Sequence, residues 1–399
     1  MSAAFGGAVP EFPRTGAVVV GGDYQGLGIV RSLGRHGVPV CVIDDECSIA
    51  RFSRYSTFAI RTTSLRDEQR TVDVVVDAGR RYGLDGWVLY PTRDETVAAF
   101  ARHRARLATM FRVPTPAWEI VRWFWDKRNT YRLARELGIP TPRTCWPSSL
   151  EELERVEFEG PVAIKPAIKE HFIYATKAKA WRANNRTELR DLFERASSYV
   201  EPGEVMIQDL IAGNGDRQFA YAAFFKDGRA IGSMTVRRRR QHPPEFGRAS
   251  TYVETIELPI LETLSQRFLR AIDYYGLVEL EYKFDERDGE YKLLDVNGRT
   301  WGYHTLGAGA GVDFPHLLYA DQMGADVEPR RGRAGVRWIR LATDVPTALV
   351  EMFAGRLGWR EYVRSLASVH VEAVFKREDL LPGLMELALI PYLSLKRGF

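Results

Sequence analysis

The segment from Gly276 to Arg299, GLVELEYKFDERDGEYKLLDVNGR, limits the fold of this chain more than any other stretch. Two alternating runs, Val278 to Phe284 and Tyr291 to Val296, flank a charged turn ending in Asp288-Gly289, which is the pattern of an antiparallel hairpin. Successive strand side chains point to opposite faces, so Val278, Leu280, Tyr282 and Phe284 share one face and Glu279, Glu281 and Lys283 the other. On the second strand Leu293, Asp295 and Asn297 project together. If the polar faces coincide, Glu281, Asp295 and Asn297 offer oxygen atoms to one point, and hard cations such as Mg2+ favour such ligands. The competing reading is a solvated sheet face balanced by Lys283 and Arg299.

Upstream, Ala17 to Gly22 (AVVVGG) predicts a buried strand, Ile29 and Leu33 a helix stopped by Gly37, and Val38 to Ile43 a second strand ending at Asp44-Asp45. This βαβ start favours a parallel sheet. An acid about twenty positions after the glycines suits a dinucleotide site. The glycines themselves do not, because Gly22, Gly26 and Gly28 lack the G-x-G-x-x-G spacing of a pyrophosphate cradle. A helix over Glu68 to Tyr82 and a strand over Gly86 to Tyr90 continue the pattern. Asp94 and Glu95 follow the strand's carboxyl end, where they either face a cleft or begin a helix. Pro114 and Pro116 then mark a boundary.

Asp126 is placed to cap a helix in which Leu133 and Leu137 share a face and which Gly138 and Pro140 end. Lys127 falls in its first turn, where a cation opposes the helix dipole unless an anion lies beside it. In Gly160 to Pro166 alternation puts Val162 and Ile164 on one face and Ala163 and Lys165 on the other, so Lys165 is either a fixed charge for a phosphate or a strand-edge lysine. Lys169, His171, Lys177 and Lys179 form a basic stretch before a helix near Thr187 to Ser198. Val205 to Gly213 reads as a strand closed by a turn, whose Gln208 and backbone groups suit a purine edge or a plain edge strand. Phe219 to Phe225 and Ile231 to Val236 predict a hairpin, and the run Arg237 to Arg240 divides its guanidinium groups between two strand faces.

With 56 lysines and arginines against 52 acids, a net charge of +4 makes no case for nucleic-acid binding. Three cysteines without paired spacing argue against a disulfide framework or a zinc site and suit a reducing, cytoplasmic setting. Met1 to Thr15 lacks a basic start followed by an apolar run, so no secretory signal is expected. Leu380 to Leu395 is apolar but contains Glu386, Pro382 and Pro391. A packed terminal helix is expected there rather than a transmembrane segment, with peripheral membrane contact as the alternative.

Taken in order, Asp126-Lys127, Ile164-Lys165, Gln208-Asp209-Leu210-Ile211, Glu281 and Asp295-Val296-Asn297-Gly298-Arg299 resemble the ATP-grasp superfamily over roughly residues 16 to 325. The resemblance implies an architecture of α/β and α+β parts. These are a Rossmann-like N-terminal domain (1–113), an ATP-grasp domain (114–330) with a mobile lid at about 162–207, and a C-terminal extension (331–399). It also implies ATP and Mg2+, or Mn2+, as cofactors. Lys127 and Lys165 match the nucleotide-phosphate lysines, and Gln208, Asp209, Leu210 and Ile211 the strand and linker that hold adenine. Glu281, Asp295 and Asn297 match the metal ligands, and Arg299 the arginine beside the transferred phosphate, with Arg238 taken from the basic run as its catalytic companion.

Two departures stand out. The family commonly has Glu-x-Asn-Pro-Arg where this chain has Asp295 and Gly298, and the shorter acid calls for a small backbone shift. No glycine lies between Gly160 and Gly203, so Lys169, His171 or Lys177 is expected to replace the glycine-rich turn of the lid. The implied reaction is attack of a carboxylate on the γ-phosphate of ATP, giving an acylphosphate that an amine captures. That makes the chain an ADP-forming carboxylate-amine ligase for small-molecule or cell-envelope-type substrates. A catalytically silent ATP-binding or scaffold protein is the alternative. The loop after Arg299, with Trp301, Tyr303, His304 and several glycines, is expected to meet the acyl or amine substrate unless His304 only packs. Beyond Gly332 a strand at Val336 to Ala342 and helices after Thr347 and Trp359 are expected, with lid docking, a homodimer interface or holding of a macromolecular substrate as roles for this part.

Overall fold

The structure is a computed structural model that describes residues 12 and 14–397, apart from Asn214, Glu245 and Arg248. Most of the segment read for a secretory signal lies outside the described residues. Ala17–Val20 is apolar throughout and needs cover on both sides, which a parallel sheet supplies. The sheet order is Phe58–Arg61, Val40–Asp44, Ala17–Val20, Val88–Pro91, with all pairings parallel. Val19 packs with Leu27 and Val30 on one side, while Val18 and Val20 meet Val72 and Val75 on the other. The helix over Glu68–Tyr82 runs from an Asp67 cap, whose carboxylate accepts from the Arg70 amide, to Gly83 in the left-handed conformation. Where a pyrophosphate cradle would lie, the Gly22 amide donates to Asp44 at 2.6 Å and Arg93 bridges Asp44 and Asp45. The protein's own groups pair there.

A second sheet, antiparallel, has the order Thr144–Cys145, Val205–Asp209, Val162–Pro166, Trp181–Ala183. Val162, Ile164 and Ile207 pack against Leu189 and Phe193 of the helix Arg186–Ser197, which leaves Ala163 and Lys165 on the open face. The basic stretch after it, unassigned from sequence, forms the helix Lys169–Thr176.

The largest sheet runs Glu290–Asn297, Gly276–Asp285, Gln218–Lys226, Arg229–His242, Ala249–Ile256, Arg337–Ile339, Val371–Glu372, and Arg330–Arg331 pairs beside Arg229–His242. The residues after Gly332 therefore continue this sheet. Their strand is shorter than expected, and the following helix, Leu341–Phe353, begins ahead of Thr347. Arg340 ends the strand by turning its guanidinium inward to Glu386 at 2.7 Å.

One core joins the first and largest sheets, with Tyr24 and Leu27 packed among Trp301, Phe314 and Trp338. The terminal helix Leu381–Arg397 accommodates Pro382 in its first turn, as helices do, and also contains Pro391. Between residues 381 and 391 its exposed and buried positions fall on opposite faces. Among the described residues no helix is long and apolar enough to cross a membrane. The extension is fastened to the first domain by Asp379, which accepts from Arg31 Nε at 2.8 Å, Ser53 Oγ at 2.7 Å and the Arg54 amide at 2.9 Å. Because Arg31 and Asp379 are both buried, Asp379→Ala leaves an uncompensated charge and is expected to cost about 3–5 kcal/mol. Urea unfolding of the variant beside the natural chain measures it.

Candidate active site

The open face of the second sheet and the hairpin of the largest sheet enclose a cavity of about 640 Å3. Its walls sort by chemistry. Ala163, Leu210, Ile211 and Leu294 supply apolar wall, Gln208 and Asp209 polar groups, and Lys127, Lys165, Lys179, Glu281 and Asp295 charge. The residues picked out by sequence thus come together from distant parts of the chain. Lys127 begins the helix Lys127–Glu136, whose Asp126 cap accepts from the Arg128 amide. One turn on, the Tyr131 hydroxyl donates to Leu294 O at 3.0 Å and accepts from Gln208 Nε2 at 3.0 Å, tying helix, lid strand and hairpin together.

The hairpin itself holds one irregularity. Glu281 pairs with Asp295 and Glu279 with Asn297, but Tyr282 pairs with Leu293, so Leu294 is the extra residue of a bulge. Strict alternation would have put Leu293 beside Asp295. The bulge instead turns Leu293 into the core with Tyr282 and brings Leu294 and Asp295 to the cavity. It also places a backbone irregularity next to the short acid, where an adjustment was expected. Gly298 has a steric explanation, since a Cβ there would lie 2.5 Å from the Phe124 ring.

Carboxylates this deep need compensation. Asp295 accepts from Lys127 at 2.5 Å, and Glu281 from Arg238 at 3.3 Å and Asn297 Nδ2 at 3.1 Å. Burial opposes ionisation of both acids, but Lys127 and Lys179 hold Asp295, and Arg238 and Lys179 hold Glu281, below the usual carboxylate range. Lys165 is in the reverse position. Burial and the neighbouring Lys127 charge bring its ammonium down to about 7, and Lys179 is lowered by burial too.

Behind Glu281 lies a second cavity, about 460 Å3, lined by Arg238, Glu279, Asn297, Arg299, Tyr303 and Arg340 among others. Glu281 borders both spaces. Glu279 accepts from Tyr303 Oη and from Asn297 Nδ2, and burial together with Glu281 raises its carboxyl to about 7. Arg299 is held by Asp94 through two bonds, 2.6 and 2.9 Å, and Lys169 reaches the same carboxylate at 2.5 Å. Asp94 thus both begins a helix and faces the cleft.

No family model matches the sequence. A D-aspartate ligase of Enterococcus faecium is 23% identical over 328 residues, 77% of this chain and 76% of that protein. Among solved structures, an L-amino acid ligase from Bacillus licheniformis superposes with a TM-score of 0.61 at 15% identity, covering 79% of this chain and 78% of its own. An N5-carboxyaminoimidazole synthetase from Staphylococcus aureus, complexed with ADP, gives 0.62 at 11% identity over 82% of each chain. These relatives share one superfamily. The chain has the ATP-grasp fold.

Within this ATP-grasp structure each residue given a site role from sequence borders one of the two cavities, Arg238, Asn297 and Arg299 the second, Glu281 both, and Lys127, Lys165, Asp295 and Gln208 to Ile211 the first. Two buried acids and an amide oxygen are an oxygen-only donor set of the kind Mg2+ takes when phosphates supply the rest. Of the three basic residues expected to cover phosphates, Lys169 lines the nucleotide-sized space although Asp94 engages it, His171 is engaged by Glu204 at 2.9 Å, and Lys177 lines a separate cavity over the first domain; Lys179 joins Lys165 and Lys169 in the first cavity. In the loop after Arg299, Gly302 and Tyr303 reach the second cavity. Trp301 and His304 do not. His304 is 1% exposed, its Nδ1 lies 3.0 Å from Trp301 O, and burial lowers it to about 4.

Sequence reasoning passed over Glu279, Tyr131 and Arg340. Glu279 shares the polar face with Glu281, and Tyr131 lies one helical turn from Lys127, so both carried a signal; Arg340 carried none. For Lys165 the folded value near 7 lies below its ordinary 10.5, so between them the unfolded chain binds more protons and stability rises with pH. Lys165→Met should flatten this rise, as read from denaturation midpoints across that window.

Proposed function

We propose that the chain is an ATP-dependent carboxylate-amine ligase. The observation that carries this is the shared wall, a nucleotide-sized, lysine-lined cavity meeting a second, arginine-bearing cavity at Glu281. ATP lies in the first with adenine by Gln208 to Ile211 and its phosphates by Lys127, Lys165 and Lys179. Glu281, Asp295 and Asn297 would hold Mg2+, which neutralises phosphate charge when bound. The substrate carboxylate enters from the second cavity, oriented by Arg238 and Arg299, whose planar forks suit carboxylate and phosphate oxygens. Its oxygen attacks the γ-phosphorus, the bond to the bridging oxygen breaks, and ADP leaves. An amine then attacks the acyl carbon of the acylphosphate, phosphate departs, and the amine loses a proton. A cytosolic location, where ATP is supplied, goes with this reading.

An amino acid suits the second cavity, because arginines Arg238, Arg299 and Arg340 line it together with the acids Asp23 and Glu279. The names of the E. faecium and B. licheniformis proteins support the same class.

The test is a panel of amino acids, D- and L-aspartate among them, with ATP, Mg2+ and hydroxylamine, which traps an acylphosphate as a hydroxamate. One acid should give hydroxamate and ADP in equal amounts. ATP binding without hydroxamate from any acid would instead point to the silent nucleotide-binding protein. Lys165→Ala, Glu281→Gln and Asp295→Asn should each lower hydroxamate formation by about 100-fold or more while the protein stays folded. Rates like those of the natural chain in the two acid variants would remove the metal assignment.

A further inference from the structure

The terminal helix Leu381–Arg397 is built inside out. Between 380 and 391 the exposed positions are Leu380, Leu381, Leu384, Leu387 and Ile390, with one alanine and one proline, and none is polar. Steps of three and four residues set them along one stripe, the side that a surface helix ordinarily turns to its core. Here the buried side holds the acid. Glu386 is 2% exposed and paired with Arg340, and Gly383 lies so close to Phe375 that a Cβ would be 2.6 Å from its ring. Rolling the stripe inward would break that buried ion pair, so the outward orientation is imposed by the fold.

Charge brackets the stripe. Lys376 and Arg377 precede the helix and Lys396 and Arg397 are its last residues, while nearby Glu378 and Asp379 are engaged by Arg35 and Arg31. The same extension exposes Phe353, at 90%, and Trp359, at 65%, on its two preceding helices. A protein partner calls for polar groups around the apolar centre of its interface. Aliphatic residues between clusters of cations instead match the boundary between headgroups and acyl chains of an anionic bilayer. No described helix can cross such a bilayer, so contact lies in its plane.

We propose that the Leu381–Arg397 helix docks this enzyme on an anionic lipid surface, its leucine stripe in the acyl boundary and the flanking cations at the headgroups. The anchor does not depend on the ligase reading. The full chain should float with vesicles of phosphatidylglycerol and phosphatidylcholine, bind far less to phosphatidylcholine alone, and be released by salt. Leu384→Glu with Leu387→Glu should reduce the bound fraction by about tenfold or more with an unchanged melting temperature. Arg377→Glu should reduce only the preference for anionic vesicles. Three results overturn the proposal. One is no flotation with either vesicle, and another is undiminished flotation of the double leucine variant. The third is a dimer in sedimentation that the leucine changes dissociate without any vesicle binding, which would assign the stripe to a second copy of the chain.

Discussion

Everything at the centre of this molecule depends on compensating buried carboxylates. Glu279, Glu281 and Asp295 stand side by side on one hairpin face, the first and last buried and Glu281 largely so, where isolated charges are costly. The compensating groups come from elsewhere in the chain: Lys127 from a helix start, Lys179 from the lid, Arg238 from the adjoining sheet and Tyr303 from the following loop. Moving any of these elements away unpairs a buried charge, so the electrostatics that make the site also fix how the parts fit together. The first domain joins through Asp94, which occupies Arg299 and Lys169.

Elements whose local signals agreed with one another were legible in the sequence. The helix Glu68–Tyr82 had an acid cap, an apolar face and a terminal glycine, and it forms with the expected bounds. The strand alternation at Lys165 separates core from cavity as expected, because Val162 and Ile164 have a helix to pack on. What was not legible required an event with no local marker. The bulge at Leu294 follows from register against the neighbouring strand, and nothing in Leu293-Leu294 distinguishes it from regular alternation. Arg340 reads as one more strand residue until Glu386, far along the chain, takes its guanidinium.

The lid shows how a composition signal can point to the right region without ranking its residues. Lys169, His171 and Lys177 in a glycine-free stretch suggested cover for phosphates. Folding the stretch into the helix Lys169–Thr176 points Lys169 at Asp94 and His171 at Glu204, and the chain beyond brings Lys179 to the cavity. The ranking is set by which acids already occupy the neighbourhood.

Asp94 bears on how such a cleft responds to an anion. Its carboxylate, held well below the usual range by Arg299 and Lys169 against the effect of burial, lies where those cations converge. A phosphate entering the first cavity meets Lys165, whose ammonium lies 3.5 Å from the Tyr131 hydroxyl, and Lys169, already engaged by Asp94. Burial has lowered the Lys165 ammonium to about 7, and a neighbouring anion favours its charged form. Arg299 stays anchored by its bidentate bond to Asp94, so its guanidinium is oriented before substrate arrives. On the ligase reading, the cations that bind the nucleotide are the adaptable ones, and the cation nearest the reacting groups is the fixed one.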